Sequence, residues 1–220
     1  MPDSDKSRYV PALGFHFLTP VYDAVVALTG REGTVKQALI RQAGLEPGQR
    51  VLDLASGTGT LAVMIKQHHP GVEVVGLDAD ARIIGLARRK AGKAQADIRF
   101  DQGLSYRLPY AADEFDGVFA SMFLHHLPWP DKVSTAREIL RVLKPGACVY
   151  VADWGTPANI LMRGLFLTVQ VLDGFQNTRD HAEGRLLPLF AENGFVEVTR
   201  QNAFNTIYGT IVLASASKPA

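Results

Sequence analysis

An α/β fold, a parallel sheet crossed by helices, is predicted by three observations. Strand-like apolar runs alternate with helical patterns through the middle of the chain. The first run, Val51-Leu52-Asp53-Leu54, passes directly into the small-residue turn Ala55-Ser56-Gly57-Thr58-Gly59-Thr60. A second run, Val74-Val75-Gly76-Leu77, ends in Asp78, at roughly the twenty-residue spacing that holds a nucleoside against the carboxyl edge of a parallel sheet.

Taken in order, residues 50–55, 72–77 and 98–101 read as strands, with helices over 60–69 and 80–92 between them. Residues 115–121 form a fourth strand and 131–143 a helix. Lys144-Pro145-Gly146 stops that helix, because proline has no N–H to continue the ladder and glycine disfavours it. Residues 147–152 make a fifth strand. From 157 to 172 nearly every position is apolar, yet the run is shorter than a membrane span and carries Arg163. It is either a lid over a pocket or a core helix. A helix over 180–193 ends at Gly194, and strands over 195–202 and 206–214 form an antiparallel hairpin with a short polar turn between them.

The chain has 220 residues, 47% of them hydrophobic and 20% charged, which suits one soluble domain, 1–220. Within it, 1–45 is read as a helical cap and 157–178 as a lid insertion. Lys+Arg 23 against Asp+Glu 22 gives a net charge of +1, which offers no field to attract nucleic acid. Arg82, Arg88, Arg89, Lys90 and Lys93 are expected to form a solvated helix face. The single cysteine, Cys148, has no disulfide partner in the chain and is read as a buried thiol in a reducing compartment. No basic segment followed by an apolar one opens the sequence, so a cytoplasmic location is expected.

The glycines have a mechanical purpose. A chain that leaves a buried strand and turns at once into a helix needs residues without Cβ, for positive φ and for close approach of a ligand. The helix N-terminus beyond them favours an anionic group. Gly57-x-Gly59-x-x-Ala62 also satisfies the dinucleotide pattern. The turn alone therefore leaves a nicotinamide-dependent oxidoreductase open.

Four segments in order resemble the class I S-adenosylmethionine-dependent methyltransferases, in particular the small-molecule branch that includes the ubiquinone/menaquinone-biosynthesis C-methyltransferases. They are Val51-Leu52-Asp53 through Gly57-Thr58-Gly59-Thr60; Gly76-Leu77-Asp78; Leu108-Pro109-Tyr110 through Phe115-Asp116-Gly117-Val118; and Leu140-Arg141-Val142-Leu143-Lys144-Pro145-Gly146. The resemblance implies a Rossmann-like seven-stranded sheet, mostly parallel with one antiparallel strand in the C-terminal hairpin, and helices on both faces. It also implies S-adenosyl-L-methionine as cofactor. Asp53, Ala55, Ser56, Gly57, Thr58 and Gly59 would then hold the methionine portion. Asp78 would take the ribose hydroxyls, Ala79 would lie along adenine, Gly103 and Leu104 would cover it, and Ser121 and Met122 would line the path to the methyl group. Tyr22, next to Asp23, resembles a gate across the cofactor; its other reading is a hydrophobic clamp. Ala55-Ser56 stands where many relatives have Gly-Cys, and Leu104 where many have an acid for the adenine amino group. Asp101 and Gln102 are close enough to supply that contact after a slip of one residue.

For the chemistry, His125 and His126 follow the fourth strand, where an acceptor pocket opens in such a sheet, and an imidazole takes a proton near neutral pH. They are candidates for a general base or for shaping the loop. Asp153, at the end of the fifth strand, would orient an acceptor, and Trp154 would either stack on it or cap the core. Asp180 is read as a helix N-cap. No metal is expected, because adjacent histidines without a nearby acidic or cysteine cluster seldom hold one. The acceptor would be a small molecule, lipid-like or quinol-like if 160–172 is a lid, with no transmembrane segment and with peripheral membrane contact open. A cofactor-binding regulator without turnover is the non-enzymatic alternative.

Overall fold

The computed structural model describes residues 32–220. Tyr22 and the expected cap before Glu32 lie outside them. Helix α1, Glu32–Ala43, leads into strand β1, Arg50–Leu54. Helices α2, Thr60–His68, and α3, Ala81–Lys93, then alternate with β2, Glu73–Asp78, and β3, Arg99–Gln102. Strand β4, Phe115–Ser121, is followed by a single 3-10 turn, Leu124–His126, helix α4, Trp129–Val142, and β5, Leu143–Trp154. Three helices come next: α5, Ile160–Asp173, α6, Phe175–Ala182, and α7, Leu186–Ala191. The hairpin β6, Val196–Thr206, and β7, Gly209–Ser217, closes the chain.

The seven strands form one sheet in the order β3-β2-β1-β4-β5-β7-β6. β1 to β5 are parallel, and β7 inserts antiparallel to both β5 and β6. The order reverses between β1 and β4, so the crossovers leave by opposite faces there and open a crevice at the carboxyl ends. Alternation along the strands separates two cores. Val51, Val74, Phe119, Ala152 and Trp154 pack with α1, α2, α3 and α5 on one face. Leu52, Leu54, Val75, Val118 and Val151 pack with α4 and α7 on the other.

Several boundaries differ from the expected ones. Helix α4 starts two residues before the expected 131, because Pro130 fits a first turn, where its missing N–H costs nothing. β5 begins at Leu143 rather than 147, but an irregularity between the Phe115–Leu143 and Gly117–Cys148 pairs accommodates Lys144-Pro145-Gly146. The helix expected over 180–193 is two helices, α6 and α7, separated around Gly184, whose φ of +79° suits glycine. The hairpin turns at Ile207-Tyr208, not at 203–205. Thr206 closes that turn, its hydroxyl donating to the Gly209 carbonyl at 2.9 Å and accepting from the Tyr208 N–H at 3.1 Å. Cys148 is half-buried, its sulfur 3.3 Å from the Ser217 hydroxyl.

Helix α5 is two-faced. Met162, Phe166 and Val169 are buried, and Phe166 lies against Trp154 with ring centroids 5.6 Å apart. Ile160, Leu161, Val171 and Leu172 are exposed. Among the described residues no helix is long and apolar enough to cross a membrane.

The join between β5 and β7 allows no added volume at Gly155, where a Cβ would sit 2.2 Å from Val212 Cγ2. Gly155→Ala is expected to cost about 1–3 kcal/mol by overpacking. Adding Val212→Ala should make the double variant's loss smaller than the sum of the two single losses. Urea unfolding of the three variants reads this, and strict additivity would contradict the contact.

Candidate active site

The carboxyl edge of the sheet gathers the predicted residues from β1, β2, β4 and β5. At the end of β1 the chain turns through Ala55, Gly57 and Gly59, all at positive φ (55°, 54° and 75°). Gly59 is fixed by packing as well as by φ: a Cβ there would meet Ala87 and the Phe100 ring at 3.0 Å. A Cβ on Gly57 would meet nothing within 4 Å among the described residues. The Ser56 hydroxyl is buried with no hydrogen-bond partner among the described residues. Lys90 reaches back from α3 and donates to the Thr58 and Thr60 hydroxyls at 2.8 and 2.6 Å. The basic face of α3 is thus partly tied to the turn rather than wholly solvated.

Two acids flank the turn. Asp53 is buried and accepts the Ala62 N–H at 3.0 Å. Burial pushes its carboxyl up to about 7, against the opposing pull of the Lys36 ammonium and the Ala62 N–H. Asp78 accepts the Gly57 N–H at 2.9 Å through one oxygen and the Asp80 N–H at 3.0 Å through the other. Burial raises its carboxyl too, opposed by those two N–H groups. A carboxylate offers about four acceptor positions, so each Asp78 oxygen keeps one for a further donor. Beside it, the Gln102 side-chain amide donates to the Ala79 carbonyl at 3.0 Å. Asp101 accepts from Arg99 and the Tyr110 hydroxyl. Gly103 packs close to Leu77, and Leu104 pairs with Arg107 in an isolated bridge.

The second half of the edge is organised by Asp153, a fully buried carboxylate. One oxygen accepts the backbone N–H groups of Phe123, Leu124 and His125 at 3.2, 2.8 and 3.4 Å. The other accepts the Trp154 N–H at 2.7 Å and faces His125 Nδ1 at 2.6 Å. Burial would lift this acid, but His125, His181 and these hydrogen bonds outweigh it and hold the carboxyl well below the usual range. An ionised acceptor requires Nδ1 to carry a proton, which leaves Nε2 on the side of the ring away from Asp153.

The His126 ring stacks at a tilt on His125, centroids 3.9 Å apart, and its side chain is 30% exposed. Burial and the neighbouring His125 lower its pKa to about 3, so the ring is neutral at pH 7. Met122, at φ 53°, and the orphaned, buried Ser121 hydroxyl lie between this group and the glycine turn at the end of β4. Trp154 packs on Phe166 and against His125. It serves the core, with its indole N–H unpartnered among the described residues.

Three further side chains complete this region. Asp173, at the end of α5, sits 3.7 Å from His125 Nε2 and 4.0 Å from His126 Nδ1, which supplies the acidic neighbour the sequence did not place there. His181 faces the Trp154 carbonyl through Nδ1 at 2.7 Å. Lys132 is buried and donates to Asp180 Oδ2 and the Asn177 carbonyl, both at 2.6 Å. Asp180 is therefore an ion-pair partner inside α6 and not an N-cap. Lys132 had a visible signal, since it shares the inward phase of α4 with Ala136, Ile139 and Val142. Asp173 had none nearby. A cleft of about 350 Å³ between α5 and α6, lined by Arg163, Gln170 and Phe175, includes none of these groups.

A family model described as a methyltransferase domain matches residues 51–146. A demethylmenaquinone methyltransferase of Deinococcus radiodurans is 34% identical over 164 residues, 74% of this chain and 67% of that protein. A ubiquinone/menaquinone biosynthesis C-methyltransferase of Pseudomonas fluorescens is 33% identical over 76% of this chain and 66% of its own length. With a demethylmenaquinone methyltransferase of Thermus thermophilus the match spans about half of that protein, 49%. Among solved structures, the YcgJ protein of Bacillus subtilis superposes with a TM-score of 0.69 at 20% identity, over 86% of this chain and 99% of that one, which establishes a common fold.

Asp53 makes stability pH-dependent in a defined direction. Its folded carboxyl holds a proton up to about pH 7, whereas the unfolded one releases it near its ordinary value of 3.8. The stabilisation is complete below the lower value and is lost as pH rises through the higher one. Asp53→Asn should flatten the fall in unfolding free energy between pH 5 and 8 in urea titrations. An unchanged slope would assign the effect elsewhere.

Proposed function

The chain belongs to the class I S-adenosylmethionine-dependent methyltransferases, and on that premise we propose that it methylates a ring carbon of a small, apolar, quinol-like acceptor. Membership replaces the nicotinamide reading that the glycine turn alone left open. The observation that carries the acceptor chemistry is the neutral, half-exposed His126 beside the buried Asp153–His125 pair, next to Met122 at the switch point. The demethylmenaquinone and ubiquinone/menaquinone names of the relatives support the acceptor class.

The residues present fit the cofactor. Among the described residues, Asp78 keeps two unused acceptor positions for a ribose diol, the space above Gly57 is open, and the Ser56 and Ser121 hydroxyls are buried without partners. Asp53, the turn from Ala55 to Gly59 and the N-terminus of α2 would hold the methionine portion. Ala79, Gly103 and Leu104 would flank adenine. When bound, S-adenosylmethionine supplies a methyl group already activated as a sulfonium. The protein's task is to hold the acceptor carbon about 3 Å from that methyl, in line with the breaking bond, and to exclude water.

His126 Nε2 would take the proton of the acceptor's hydroxyl, which raises electron density at the ring carbon that attacks; after transfer that carbon gives up its own hydrogen as a proton to solvent, and His126 returns the first proton to the oxygen. Asp153 is a positioning residue: it fixes the 3-10 turn and the His125 tautomer, against which the His126 ring rests. The lid reading of 157–178 fits the exposed apolar side of α5, which would meet a lipid-like acceptor tail.

Two measurements test this. Asp78→Asn keeps the side chain's shape but loses acceptor capacity, and should weaken S-adenosylhomocysteine binding by about 1–3 kcal/mol in calorimetry; equal affinity would remove the ribose assignment. His126→Ala should leave that affinity within twofold while lowering kcat toward a demethylated naphthoquinol by about 10²- to 10⁴-fold, the usual contribution of a general base. Unchanged kcat would place the base elsewhere. Cofactor binding without product from any quinol, by mass spectrometry, would favour the regulator.

A further inference from the structure

Three potential ligand atoms converge at the end of α5 without a hydrogen bond among them. His125 commits its Nδ1 to Asp153, which leaves Nε2 as its remaining ligand atom. It faces Asp173 Oδ2 at 3.7 Å, while Asp173 Oδ1 faces His126 Nδ1 at 4.0 Å. One ligand atom from each of the three residues can be chosen so that all lie within 4.8 Å of one another. No described donor bonds the Asp173 carboxylate, although its side chain is only 8% exposed. A carboxylate and imidazole lone pairs pointed at each other repel unless something positive lies between them.

We propose that His125 Nε2, His126 Nδ1 and the Asp173 carboxylate form a binding site for a first-row transition dication. Two imidazoles and one carboxylate are the donor set of zinc, cobalt and ferrous sites, and three protein ligands leave at least one position open. Ligands at about 2.0–2.2 Å around a tetrahedral ion stand roughly 3.3 Å apart, so an ion would draw in the gaps of 3.7 and 4.0 Å, which run to different Asp173 oxygens, with the carboxylate chelating through both or turning to present one. The Asp153 carboxylate on the far nitrogen of His125 is the outer-shell partner that fixes the tautomer and orientation of a ligating imidazole. The elements that carry the ligands are anchored independently: the 3-10 turn by Asp153, and α5 by Phe166 and Val169 in the core.

The open position would take water or a ring oxygen of the acceptor and lower that oxygen's pKa; with Nδ1 on the metal the His126 hydrogen sits on Nε2, so the ion takes over activation of the hydroxyl and the proton leaves to solvent. That use rests on the acceptor reading above; the existence of the site does not. The test is titration of the untagged, chelator-treated full chain with Co²⁺, followed by visible absorption and by calorimetry. One equivalent should bind and produce d–d bands of a four- or five-coordinate ion. Asp173→Asn and His126→Gln should each weaken binding at least tenfold, and Asp153→Asn by about 10- to 100-fold through the outer shell. His69→Gln, outside the cluster, should change nothing. Each variant's thermal melt reports whether it folds, and His126, being partly exposed, is the substitution least costly to the core. Absence of a stoichiometric site, or equal binding in Asp173→Asn and His126→Gln, overturns the proposal. S-adenosylhomocysteine titrated in the presence of chelator separates the two readings: cofactor binding without a cobalt site defeats only the metal, and a cobalt site without cofactor binding defeats only the cofactor assignment.

Discussion

A single buried carboxylate governs the β4–β5 half of the sheet's carboxyl edge. Asp153 has no solvent contact and accepts five hydrogen bonds: from Phe123, Leu124, His125 and Trp154 on the backbone, and from the His125 ring. An ionised group in that position is tolerable only when fully paired, since an unpaired buried charge costs several kcal/mol. The need to pair it is what folds residues 123–126 into a tight 3-10 turn instead of an extended exit from β4. The turn in turn aims two imidazoles at the carboxyl edge of the sheet.

The β1–β2 half of that edge is governed by backbone geometry. β1 and β4 are adjacent at the point where strand order reverses, and the chain leaves them through non-glycine residues at positive φ, Ala55 and Met122. Such conformations persist only where the surroundings impose them. Here the surroundings are the packed strands below and, at Gly59, the Phe100 ring and Ala87, which leave no room for a side chain. The turn is therefore held by the α3–β3 layer as well as by its own sequence, and Lys90 adds a tie from α3 to Thr58 and Thr60. Asp78 joins the two systems, because its oxygens hold Gly57 on one side and the start of α3 on the other.

α5 connects both halves to the surface. Its buried side completes the core beside Trp154 and β7, its last residue brings Asp173 to the histidine pair, and its outer side shows Ile160, Leu161, Val171 and Leu172. The question of lid or core therefore has a divided answer in structural terms: Met162, Phe166 and Val169 are core, and Ile160, Leu161, Leu167, Val171 and Leu172 are not. A helix that is apolar on nearly all sides gives little periodicity from which to separate those faces.

The parallel sheet, its order of elements, the glycine turn and the acids at the ends of β1 and β2 were legible in the amino-acid sequence, because each depends on local patterns: alternation of apolar runs, turn-forming residues and short spacings. Errors fell where local signals compete. Pro130 was compatible with a helix start, Gly184 split one helical pattern into two, and Thr206 moved the hairpin turn by bonding its own loop. What the sequence by itself determined is the scaffold and where its carboxyl edge lies. Only the tertiary structure decided which side chains meet there: Asp173 reaches His125 and His126 across nearly fifty residues, and Lys132 reaches Asp180 across a similar span. The reason is physical, since spacing along the chain constrains neighbours within a turn or a strand, whereas the pairing of distant charges is settled by packing and by the cost of leaving a buried one alone.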